Sequence, residues 1–129
     1  MISSPRWARL SVAGMALVFL APSQVSSAAA HALLKKAAPP PGGVVSASPS
    51  EIRITFSEGV EPRFSTIALT TQTGAAAPLG KPSVDPNDDK TLVAPVAEPL
   101  KPGVYIVHWH VVAADTHKTQ GSFQFTIRP

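Results

Sequence analysis

"GVYIVHWHVV", Gly103 to Val112, puts Tyr105, Val107, Trp109 and Val111 on one side and Val104, Ile106, His108, His110 and Val112 on the other. Alternation with a period of two residues is what a β-strand produces, because successive side chains point to opposite faces. "GSFQFTI", Gly121 to Ile127, repeats the pattern with Phe123, Phe125 and Ile127 inward and Ser122, Gln124 and Thr126 outward. The segment between them, "AADTHKTQG", is a connection between two neighbouring strands. This hairpin sets the fold class, and the rest of the chain agrees with it.

Working towards the N-terminus, "EIRITFSE" places Ile52, Ile54 and Phe56 on one face and Arg53, Thr55 and Ser57 on the other. "FSTIALTT" offers Phe64, Ile67 and Leu69 as an apolar set, with a phase slip at Ser65 that reads as a bulge. "KTLVAPV" contains Pro95 and therefore reads as an edge strand at most. "PPPGG" (Pro39 to Gly43) and "DPNDD" (Asp85 to Asp89) are breakers. "HALLKKAA" scores partly as helix, but Pro39 to Pro41 stop it, and an opening strand fits better. No amphipathic helix and no internal repeat is present. Short strands between turn clusters predict an all-β domain, a small Greek-key barrel or sandwich.

The first thirty residues have a different character. Arg6 and Arg9 precede the apolar run "LSVAGMALVFLA", and small residues close the segment at Ala28-Ala29-Ala30. That is the layout of a secretory signal peptide. Its apolar run is about a dozen residues, against the roughly 20 that a spanning helix needs. Cleavage by the A-x-A pattern removes residues 1–30 and leaves residues 31–129 as a single β domain beginning at His31. Ser26-x-Ala28 and Ser27-x-Ala29 are competing sites.

Cleavage changes the charge. The whole chain has 11 Lys and Arg against 8 Asp and Glu, a net +3. Without Arg6 and Arg9 the balance is 9 against 8, a net +1. That removes any case for a nucleic-acid partner. The chain has no cysteine, so no disulfide can form, and its two methionines, Met1 and Met15, both lie in the leader. The expected product is exported, outside the cytoplasm, and free of the membrane.

All four histidines, His31, His108, His110 and His117, lie after the cut. His31 at a free N-terminus would offer two nitrogens, an α-amine with a pKa of about 7.7–8.0 and an imidazole of about 6.5. Both lose protons to a metal near neutral pH, and nitrogen ligands in a planar array suit Cu(II). Without such a metal, His31 is an ordinary exposed terminal residue. Asp115-Thr116-His117 is a D-x-H pair: the carboxylate can reach the same ion as the ring, can orient the ring, or can simply start a turn. Glu58 ends the "RITFSE" strand, either as a solvated strand end or beside a site. His108 and His110 share one strand face as a metal pair or as exposed sheet residues. Without Met or Cys after residue 30, any copper site here favours Cu(II) over Cu(I). Zinc fits the same residue types.

Taken together, a histidine opening the mature chain, "ITFSE", "Y-x-V-x-W-x-V-V-x-x-D-x-H" from Tyr105 to His117, and "G-S-F-x-F" resemble the CopC family of periplasmic copper-binding proteins. The resemblance spans residues 31–129. It implies a Greek-key β-barrel of cupredoxin-like or Ig-like shape with one Cu(II) per chain. The ligands it implies are His31, through amine and imidazole, with Asp115 and His117, and Glu58 near the metal. It further implies a monomeric copper carrier or buffer, working in copper homeostasis or resistance with a CopD-type membrane copper transporter and catalysing no reaction. Two departures stand out. Thr73 to Asp89, where some members carry a Met-rich Cu(I) site, has neither Met nor His, so the chain resembles the Cu(II)-only type. The residue after Trp109, commonly Arg in the family, is His110, and the resemblance assigns no site to it. The competing expectations are a metal-independent β-sandwich that pairs its edges with a protein, and a small copper oxidase or mono-oxygenase.

Overall fold

The computed structural model describes residues 3–4, 14, 16–18 and 32–129 of the chain. Among the described residues nine strands follow one another: β1 (Leu34–Ala38), β2 (Val44–Val45), β3 (Glu51–Phe56), β4 (Thr66–Thr71), β5 (Ala76–Ala77), β6 (Ser83–Asp85), β7 (Asp88–Pro95), β8 (Gly103–Val112) and β9 (Lys118–Ile127). They form two open sheets, a four-stranded one in the order β1-β3-β7-β6 and a five-stranded one in the order β2-β9-β8-β4-β5. The protein is a β-sandwich, as the strand pattern predicts.

Alternation decides what lies between the sheets. Ile52, Ile54 and Phe56 of β3 are at most 1% exposed, and Leu92 and Ala94 of β7 pack beside them. The other sheet contributes Ile67, Leu69, Tyr105, Val107, Val111, Phe125 and Ile127. Burying each large side chain of this kind stabilises the fold by about 1.5–3 kcal/mol. Tyr105 stacks on Phe125 at 5.7 Å and its hydroxyl donates to the Lys101 carbonyl at 2.8 Å, which satisfies the one polar atom it carries inward. Trp109 meets Phe56 edge-on at 5.1 Å and lies over Gly121, its cross-strand partner. A Cβ at Gly121 would come within 2.5 Å of the indole ring, so only glycine leaves the room it uses.

Two sequence expectations are corrected. β7 is an interior strand, flanked by β3 and β6, and the edge is β6. Pro95 is compatible with this because it is the last residue of β7, where the missing N–H interrupts almost no ladder. Phe64 is not inward but 68% exposed. It ends a 3₁₀ turn, Pro62–Phe64, and that turn resets the phase. Buried Ser65 then leads Ile67 and Leu69, donating to the Glu61 carbonyl at 2.7 Å and accepting from the Val112 N–H at 3.1 Å. The phase slip is a helical turn before β4, not a bulge within it.

β8 and β9 dominate the molecule. Their ten residues each are paired from Gly103–Ile127 to Val112–Lys118 without interruption. The connection at the far end carries the D-x-H residues.

Candidate metal centre

At one end of the sandwich three chain segments meet. The segment after β3 turns at Ser57 and Glu58 and then runs beside the end of β8. Val60 bridges Ala113, the Glu61 N–H donates to Val112 O at 2.8 Å, and the Ala114 N–H donates to Gly59 O at 2.9 Å. The second segment is the β8–β9 connection. The third is Ala32–Leu33, the start of the continuously described chain. Leu33 donates its N–H to Ser57 Oγ at 2.8 Å and accepts from the Ser57 N–H at 2.8 Å. The Thr119 hydroxyl donates to Ala32 O at 3.0 Å, and Ala32 is fully buried.

The connection is tightly built. The Ala113 N–H donates to His117 O and the Thr116 N–H to Ala113 O, both at 2.9 Å. Asp115 Oδ1 accepts the His117 N–H at 3.1 Å, while Asp115 Oδ2 lies 3.0 Å from His117 Nδ1. The turn and the carboxylate–imidazole pair, alternatives on the sequence, are made at once by the two oxygens of one side chain. Closing it puts Thr116 at φ 74°, a left-handed conformation that is an outlier for a β-branched residue. Such strain costs about 1–3 kcal/mol and persists only where surrounding bonds over-determine it.

Electrostatics follow from these contacts. The hydrogen bonds from the His117 ring and backbone hold the Asp115 carboxyl below the usual carboxylate range. Glu58 adds the smallest of these influences. Both Asp115 and His117 are open to solvent, with 37% and 53% of their side chains exposed. An Nδ1–H donated to Asp115 leaves Nε2 with the lone pair, which is the arrangement by which a carboxylate orients a metal-binding imidazole.

Of the sequence-predicted residues, the structure brings Asp115, His117 and Glu58 to one end of the sandwich. His31 lies outside the described residues. Among the described residues, no three His, Asp or Glu side chains form a group that could hold a metal. His108 and His110 lie on the outer face of the five-stranded sheet, away from this end. Sequence reasoning missed Ser57 and Thr119, which fix Ala32–Leu33. Ser57 was visible only as a polar-face residue of "ITFSE", and nothing local announces a contact 24 residues away.

A two-sheet sandwich with an acidic-imidazole loop at one end defines a small β-domain class, and the comparisons give it a family. The CopC domain model matches residues 34–128. Protein YobA of Escherichia coli K12 is 38% identical over 114 residues, covering 88% of this chain and 92% of that protein. Copper resistance protein C of Xanthomonas campestris pv. juglandis is 31% identical over 123 residues, covering 92% and 96%. The crystal structure of CopC from Methylosinus trichosporium OB3b superposes with a TM-score of 0.72 at 29% identity, covering 77% of this chain and 95% of that one. PcoC of Escherichia coli, described as a methionine-rich copper resistance protein, superposes at 0.68 with 32% identity, covering 76% and 99%. The chain belongs to the CopC family.

Proposed function

We propose that this chain is an exported Cu(II) carrier or buffer, residues 31–129 after loss of a signal peptide at 1–30, acting as a monomer in the periplasm. Cu(II) is its cargo. One ion would be held by the amine and imidazole of His31, by Asp115 and by His117, with Glu58 beside it. The observation that carries the reading is the Asp115–His117 pair at 3.0 Å, built on a strained loop in a family whose members include proteins named for copper resistance.

The donor set fits the cargo. Nitrogen and carboxylate oxygen suit Cu(II), and residues 31–129 offer no sulfur for Cu(I). The contrast with methionine-rich PcoC points the same way. Ala32, the residue that follows His31 in the sequence, is tied to Thr119, two residues after His117. Four protein ligands leave little of the ion for a substrate, which favours carriage over oxidase or mono-oxygenase chemistry. Delivery to or from a CopD-type membrane copper transporter is the partnership this reading carries.

Native mass spectrometry of the exported protein with one equivalent of Cu(II) tests it. The expected result is a chain starting at His31 with one copper bound. Affinity should fall steeply from neutral pH towards about pH 5, because protons compete with the metal for the ligand nitrogens. A chain starting at Ala29 or Ala30 removes the terminal amine from the site. A His31 start that retains no copper overturns the carrier reading and leaves a metal-independent β module.

A further inference from the structure

The outer face of the five-stranded sheet carries a feature that the end-on site does not use. Thr66 and Ala68 of β4, His108 and His110 of β8, and Gln120 and Ser122 of β9 line an open depression of about 430 Å³. We propose that His108 and His110 form a second metal site there, weaker than the one at the end of the sandwich, which takes Cu(II) and, less tightly, Zn(II).

Geometry carries this. The two histidines are two residues apart on one strand, so they share a face with Cα atoms about 6.6–6.8 Å apart. Metal–imidazole bonds are about 2.0–2.1 Å long, so the two ligating nitrogens must come within roughly 3–4 Å of each other. Side-chain rotation supplies that without backbone movement. The cross-strand neighbours leave room. His110 stands between Thr66 and Gln120, and His108 between Ala68 and Ser122. None of these is charged, and two of them, Thr66 and Gln120, bring oxygen donors beside His110. Lys118, the cation of β9, pairs with Val112 and not with either histidine.

The rings are also suitably free. His108 Nε2 lies 3.0 Å from Thr70 Oγ1. When Nε2–H donates to that hydroxyl, Nδ1 carries the lone pair, so an uncharged neighbour fixes a metal-competent tautomer. The His110 ring makes no hydrogen bond among the described residues and is exposed. Binding therefore displaces no internal partner of His110. The cost is that only one of the two rings is held in advance, which makes the site weak and exchangeable. Among divalent ions such a nitrogen pair prefers Cu(II), with Zn(II) below it. The site is separate from the D-x-H loop: Ala113 and His117 are three register steps beyond His110 and Gln120, about 10 Å along the hairpin.

The test titrates the exported chain with Cu(II) beyond one equivalent, counting bound ions by native mass spectrometry, for the wild type, His108→Ala/His110→Ala and His117→Ala. The expected result is two coppers on the wild type and one on each variant. Two coppers retained by the double variant overturn the proposal. A single copper on the wild type that His117→Ala abolishes also overturns it, and leaves the carrier reading intact. A single copper that survives His117→Ala but is lost in the double variant supports the proposal and overturns the end-on site. Zn(II) provides a second measurement. In NMR spectra the ring C–H signals of His108 and His110 should shift together at the same Zn(II) concentration. A shift of one ring alone means that the two do not share an ion.

Discussion

One hairpin, β8–β9, carries three histidines in two surroundings. His117 sits in the strained connection, its ring against the Asp115 carboxylate at 3.0 Å. His108 and His110 stand on a fully paired strand, and the His108 ring lies 3.0 Å from the Thr70 hydroxyl. A negative partner orients an imidazole and raises its appetite for a cation, whereas a neutral hydroxyl orients it alone. That contrast would make the two proposed sites unequal in strength. Both rest on the same support, because Trp109, between His108 and His110 in sequence, packs on Phe56, two residues before Glu58.

The largest expected effect is on that shared support. Phe56→Ala should cost about 3–5 kcal/mol of stability, as deletion of a fully buried aromatic ring does. Denaturant unfolding measures it, and a loss below about 1 kcal/mol would mean that Phe56 and Trp109 do not anchor the two regions together. Next in size, His117→Ala should lower Cu(II) affinity at the end-on site by more than the about 10–100-fold that loss of an orienting partner costs. Competition with a chelator reads this out, and an equal loss of the second copper would erase the distinction between the regions.

Asp115→Asn sharpens the comparison further. Asparagine keeps one oxygen, enough for the His117 ring or for its backbone N–H but not for both, and removes the charge. If Asp115 only orients the ring, Cu(II) affinity should fall about 10-fold or less, at the low end of the range for such partners. A loss as large as that of His117→Ala makes Asp115 a direct ligand. In the metal-free protein the Asp115 carboxyl, held low by its His117 hydrogen bonds, should titrate below the usual value of about 3.9. Its contribution to the fold is then complete above that value and is lost as pH falls through the lowered one. An NMR titration that puts it at or above the usual value refutes the pairing.

The smallest effect belongs to Thr70→Val, which removes the hydroxyl beside His108. The second copper should weaken less than about 10-fold, below the range for charged partners, with the first unchanged. A change at the first site would couple regions that the structure keeps about 10 Å apart along the strands.

Much of this molecule is legible in local sequence. Period-two alternation names Ile52, Ile54 and Phe56, the core side of β8, and Phe125 and Ile127 as interior, because side-chain direction in a strand depends only on position parity. The D-x-H spacing likewise announces a carboxylate able to reach the ring two residues on. Other features depend on partners far along the chain. Pro95 reads as an edge signal, yet β7 is interior, since strand order is set by which apolar faces close the core and not by one residue's hydrogen bonding. Phe64 is as apolar as Phe56, but the Pro62 turn points it to solvent and gives its place to Ser65, whose hydroxyl finds Glu61 and Val112.

The residues alone therefore determined the all-β class, the inward faces of β3, β8 and β9 and the D-x-H pair. Only the tertiary structure decided that Ser57 and Thr119 would clamp Ala32–Leu33 beside that pair, that the segment carrying Glu58 would run beside the end of β8, and that His108 and His110 would lie on the outer face of the sheet. The reason is range: alternation and an i, i+2 contact are written within a few residues, while strand order and loop convergence come from the collective burial of one core.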